Sequence, residues 1–251
     1  MLSYSAMFAV EYRRRVKERL IEMARSDARI ESAAAVGGSA EGDGDRWSDL
    51  DLTFGLAPGA ALESVLTGWT RDLREEFDAV PLFDLPFGPS MYRVFLLPGS
   101  LQVDLSFTPG PEFGATGPRF ALLFGRAVEK EWPRPAPAAY LFGLAAHHAV
   151  RARYALERGR LWHAEYLVSA VRDHALMLAC RRLGLPAGEG RGFDQLPADI
   201  VEAAMPALAR SVDRDELLRA LRHATELLLS ESPGLHDDAA KIGALLRDIL
   251  D

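Results

Sequence analysis

Apolar residues recur at helical spacing at Ala9, Tyr12, Val16, Leu20 and Met23, which predicts an amphipathic helix over residues 5–25. Arg13, Arg14, Arg15, Lys17 and Arg19 fill the rest of its circumference and read as a solvated basic face. A short apolar run at residues 30–36 predicts a strand, and strict alternation from Asp49 to about Phe54 predicts another. Pro58 and Gly59 break the chain before Leu62, Val65, Trp69 and Leu73, which space out a second helix over residues 61–77. Strand-like runs return at 80–85, 91–97 and 101–107, the last two joined through Pro98-Gly99. This local pattern supports an α/β or α+β arrangement.

Past Trp132-Pro133-Arg134-Pro135-Ala136-Pro137 the periodicity is helical to the end, over residues 138–158, 161–183, 198–210, 213–230 and 237–250. Asp213 and Asp237 read as N-caps, while Gly159 and Gly184 stop the two longest helices. The expectation is two domains, 1–133 with a small sheet and 134–251 as a helical bundle.

The stretch from Val36 to Leu52 carries the chemistry. Gly37 and Gly38 can adopt positive φ and present no Cβ, so backbone N–H groups can approach a phosphate closely, with the Ser39 hydroxyl as a further donor. Alternation puts Asp49 and Asp51 on one strand face, with Leu50 and Leu52 on the other. Two carboxylates so close repel unless a cation joins them, and magnesium suits such a pair. Gly-Gly-Ser alone is an ordinary turn and Asp-x-Asp alone an ordinary edge; their conjunction reads as a phosphate-and-metal site.

Composition bounds the partners. Of 251 residues, 49% are hydrophobic and 26% charged, enough for a full core, and the net charge is −7. Before Pro133 there are 14 basic and 20 acidic residues, and after it 15 and 16, so neither half is a basic footprint for nucleic acid. The single cysteine, Cys180, excludes an intrachain disulfide and reads as a buried thiol in a reducing cytoplasm. No apolar run reaches membrane-spanning length and acidic Glu11 follows the short apolar start, so neither a membrane span nor a signal peptide is expected.

An apolar residue, Gly, Gly or Ser, some ten residues and then Asp-x-Asp between apolar residues resembles the nucleotidyltransferase superfamily typified by DNA polymerase beta. Gly37, Gly38, Ser39, Asp49 and Asp51 match those positions. The resemblance implies a third carboxylate on a later strand, for which Asp104 stands between Val103 and Leu105. It covers roughly the first half of the chain and implies an α+β fold with a small mixed sheet. With a helical C-terminal part, the chain looks like the antibiotic nucleotidyltransferases of aminoglycosides and lincosamides. That implies two magnesium ions on Asp49, Asp51 and Asp104, ATP or another nucleoside triphosphate as donor, and a small-molecule hydroxyl as acceptor. Gly37, Gly38 and Ser39 would hold the donor's phosphates, and the base would be Asp104 or Glu165. Some members pair as dimers around shared pockets, which extends the expectation to a homodimer. The alternatives are a protein-modifying, AMP-attaching transferase of the toxin or antitoxin kind, and a non-catalytic nucleotide-binding protein.

Two further features sit on the long helices. His148 lies on an inward stripe and reads as a hydrogen-bonded core residue. Glu165, Ser169 and Arg172 form a polar line, read either as an internal Glu165 to Arg172 ion pair or as substrate contact.

Overall fold

In the computed structural model, which describes residues 8–40, 47–131 and 135–250, the first elements follow the hydrophobic pattern closely. They are helix α1 (Val10–Ser26), strands β1 (Ile30–Val36) and β2 (Leu50–Leu56), helix α2 (Leu62–Phe77), and strands β3 (Val80–Phe87), β4 (Ser90–Leu97) and β5 (Leu101–Pro109). A sixth strand, β6 (Phe120–Phe124), is an addition to the sequence pattern. Its five residues are half-buried or exposed, so no alternation marks it, and it exists because β1 offers a free edge.

The sheet order is β3-β4-β5-β2-β1-β6. Only β2 and β5 run parallel; every other neighbouring pair is antiparallel. The sheet is therefore mixed, and the fold is α+β. Between β4 and β5, Gly99 at φ 78° and the Ser100 N–H bonded to the Leu97 carbonyl at 3.1 Å close the expected turn.

One sheet face is covered by both helices. Val16, Leu20 and Ala24 of α1 and Val65, Trp69 and Leu73 of α2 pack on Leu50, Leu52, Phe54, Val103, Leu105 and Phe107. At its centre Phe54, Trp69 and Phe107 form an aromatic cluster with ring centroids 4.7–5.5 Å apart. Period two then sends Asp51, Thr53, Gln102, Asp104 and Ser106 to the opposite face, which neither helix covers.

The chain divides into two compact units, Met1–Pro133 and Arg134–Asp251. The second consists of α3 (Ala138–Glu157), α4 (Leu161–Arg182), α5 (Ala198–Ala204), α6 (Arg214–Ser230) and α7 (Ala239–Asp248). Small residues, among them Ala145, Ala149, Ala152, Ala164 and Ala175, are fully buried and let these helices approach closely. Gly159 at φ 64° and Gly184 at φ 71° follow the caps of α3 and α4, as the sequence predicts. The expected helix over 198–210 stops at Ala204 and continues only as a 3-10 turn, because Pro206 removes a donor. Asp213 occupies the N-cap position of α6, but its carboxylate accepts from Ser211 rather than from the helix. The N-cap position of α7 belongs to Asp238, not Asp237.

Candidate metal and phosphate site

Strand pairing builds the site. The parallel register sets Asp51 directly beside Asp104, and Asp49 stands one alternation before Asp51. One carboxylate oxygen from each of Asp49, Asp51 and Asp104 lies within 4.8 Å of the others. All three side chains are half-buried. Burial pushes the Asp104 carboxyl above its ordinary value; a hydrogen bond from Gln102 Nε2 at 3.0 Å opposes that, and the nearby Asp49 adds to it. Three acidic oxygens gathered this closely suit a hard divalent cation such as magnesium, which relieves their repulsion.

The glycine turn abuts this cluster. Gly37 to Ala40 form a 3-10 turn at the end of β1, with Gly37 at φ 58°. A Cβ on Gly37 would fall 2.7 Å from Asp51 Oδ2, so glycine is required both by the backbone angle and by the carboxylate behind it. Among the described residues a Cβ on Gly38 would meet only Ser48 Oγ, at 3.8 Å. Ser39 is buried, and its Oγ accepts the Asp51 N–H at 3.1 Å, so one hydrogen bond ties the turn to the carboxylate strand while the hydroxyl proton stays available.

Two residues of the basic cluster on α1 depart from the solvated face expected of them. Arg13 is buried and donates to the Ser48 carbonyl at 3.0 Å, and Lys17 donates to the Ser39 carbonyl at 3.1 Å. Arg14, Arg15 and Arg19 are exposed as expected. Their spacing held the signal, since Arg13 and Lys17 stand four apart beside Val16 and Leu20, on the stripe that faces the sheet. Gln102, two residues before Asp104 and hence on the same face, is the other residue missed.

The Gly- and Pro-rich run over residues 108–118 begins at the far end of β2. There Phe113 is buried against Gly55, four residues or about 13 Å from Asp51. It ends beside the glycine turn, where the Arg119 carbonyl accepts the Gly37 N–H at 3.2 Å. A cleft of about 300 Å³ adjoins Asp49, lined by Phe8, Trp47, Ser48, Ser100 and Gln102.

In the helical unit, Glu165 accepts from Ser169 Oγ at 2.7 Å, and Arg172 pairs with Asp173 at 2.7 Å. Of the two readings of this polar line, the Glu165 to Arg172 ion pair does not form, because Asp173 is a nearer partner. His148 is half-buried against His174, ring centroids 5.5 Å apart, and its buried Nδ1 has no hydrogen-bond partner among the described residues. Burial first, then His174, His147 and Arg151, hold its pKa below the ordinary value. Cys180 is buried, as its apolar run predicts. Among the described residues no helix is long and apolar enough to cross a membrane.

No protein-family profile and no curated protein matches the chain. Among solved structures, an aminoglycoside 6-adenyltransferase from Bacillus subtilis is similar over 92% of this chain and 95% of its own, with 17% identity and a TM-score of 0.40. A likeness so distant adds nothing to what the carboxylates themselves show.

Proposed function

We propose that this protein transfers a nucleoside monophosphate, AMP from ATP, onto a hydroxyl of a small molecule in a magnesium-dependent reaction. The observation that carries this reading is the meeting of Asp49, Asp51 and Asp104, oxygens within 4.8 Å, beside a turn whose Gly37 is locked against Asp51. Asp49 and Asp51 would hold two magnesium ions and Asp104 one of them. When bound, the metal supplies charge stabilisation for the entering and leaving oxygens of an in-line displacement.

The chain's own groups do the rest. The Gly38 backbone and the Ser39 hydroxyl donate to the β- and γ-phosphates. Lys17 and Arg13 brace that turn and the approach to Asp49 through the Ser39 and Ser48 carbonyls. The acceptor oxygen bonds to the α-phosphorus and the bond to the bridging oxygen breaks, so that pyrophosphate departs with the electron pair. The acceptor proton passes to a carboxylate of the cluster, Asp104.

The test is pyrophosphate release from ATP over a panel of hydroxyl compounds. Release should require both magnesium and Asp51, and Asp51→Asn should abolish it while the protein keeps its melting curve. Turnover retained in Asp51→Asn would refute the metal assignment.

A further inference from the structure

The hairpin of β3 and β4 leaves large apolar side chains in water beside the carboxylates. Phe83, Leu85 and Phe87 are 55%, 53% and 50% exposed, and Leu96 is exposed as well. The strand register places them. Asp51 pairs with Asp104, Asp104 with Val94, and Val94 with Phe83, so one cross-strand row runs from the metal carboxylates to Phe83. The next row holds Thr53, Ser106, Tyr92 and Leu85, and cross-strand partners share a face. Phe83, Leu85, Phe87, Tyr92 and Leu96 thus stand with Asp104 on the face opposite α1 and α2, Phe83 two strand spacings, about 10 Å, away across the buried Val94. Asp84 and Arg93 point to the other face, where Arg93 pairs with Asp84 at 2.6 Å and donates to Thr70 of α2.

Topology says which substrate meets this strip. The phosphate turn ends β1, on one side of the carboxylates, and β4 and β3 lie on the other. If the nucleotidyl transfer proposed above is right, pyrophosphate leaves toward β1. An in-line nucleophile must then approach from the opposite side, over β4 and β3. The strip offers that nucleophile no charge. A second strand is a poor occupant, because Pro81 and Pro86 lack the donors that would extend the sheet at this edge.

We infer that the acceptor is a hydroxyl compound with an uncharged apolar or aromatic body, seated on Phe83, Leu85 and Phe87 with its hydroxyl directed at Asp104. Phe83, Leu85 and Phe87 would offer the outlying ammonium groups of a polycationic amino sugar no counter-charge. The inference rests on the nucleotidyl-transfer reading and deepens it.

The experiment uses naphthyl ethanol as the probe, followed by its fluorescence on titration into the full chain with magnesium and a non-hydrolysable ATP analogue. The probe should bind, and Leu85→Asp should weaken it roughly tenfold or more, with Phe83→Ser acting in the same direction. Both residues are exposed, so the variants should fold, and the affinity for the magnesium–nucleotide complex should stay unchanged. Absence of probe binding, or binding equal in wild type and Leu85→Asp, overturns the inference. So does an amino sugar that drives pyrophosphate release equally in wild type and Leu85→Asp, or a dimer that Leu85→Asp dissociates with probe affinity intact. Failure of the wild type to bind the magnesium–nucleotide complex would instead remove the transfer reading itself, which the nucleotide titration detects separately.

Discussion

Gly37 is where backbone and chemistry meet. At φ 58° an alanine is strained by about 1–2 kcal/mol, and its Cβ would press on Asp51 Oδ2 from 2.7 Å. Gly37→Ala should therefore lower stability by about that amount and weaken magnesium binding, whereas Gly38→Ala, whose Cβ would meet Ser48 Oγ at an ordinary 3.8 Å, should leave both nearly unchanged. Calorimetric titration of magnesium and thermal melts of the two variants check this contrast. Asp104 gives a pH test. Its folded pKa lies above the ordinary 3.8, so its ionisation costs stability in full above the raised value and not at all below about 3.8. Without metal, Asp104→Asn should melt higher than wild type near neutral pH, the difference closing as the pH falls toward 3.8. Added magnesium should stabilise the wild type more than the variant. A lower melting temperature for Asp104→Asn at neutral pH without metal would contradict the burial account.

At the scale of elements, the strands and helices of the first unit are legible in the sequence wherever a period is clean. The alternation of Asp49, Leu50, Asp51 and Leu52 announces both the buried face and the carboxylate face of β2, and the run around Asp104 does the same for β5. What stays hidden depends on neighbours far along the chain. No local pattern marks β6, whose residues are paired but never fully buried. Nor does periodicity say that β2 and β5 are adjacent and parallel, which is what brings Asp104 to Asp51. The basic cluster of α1 misleads when charge is read without position on the helix. Arg13 faces inward to the Ser48 carbonyl, just before Asp49. Arg13→Leu should cost about 1–3 kcal/mol by removing a buried donor from that carbonyl. It should also weaken magnesium binding, since the approach to Asp49 loses its brace; a chemical denaturation curve beside a metal titration measures both. On α4 a shared stripe does not decide pairing, since Glu165 and Arg172 share one but a partner one residue away takes the arginine.

For the whole molecule, the charge balance is the first constraint. A net −7, with no excess of basic residues in either half, provides no basic surface field for phosphate, so the proposed phosphate recognition would fall to the glycine turn and the three carboxylates. The protein should accordingly show no saturable binding to duplex DNA by fluorescence anisotropy at near-physiological salt. Tight, salt-sensitive binding would point to a polymerase-like role instead. The two units keep separate hydrophobic cores, one around Trp69 and one around Phe142. All three carboxylates and the glycine turn belong to the first. The measurement that tests the central claim most directly is therefore ATP affinity by calorimetry, with and without magnesium, in wild type and Asp51→Asn. Magnesium should raise ATP affinity roughly tenfold or more in the wild type and have little effect in the variant. Equal magnesium dependence in the two proteins would contradict the assignment of Asp51, and with it the site.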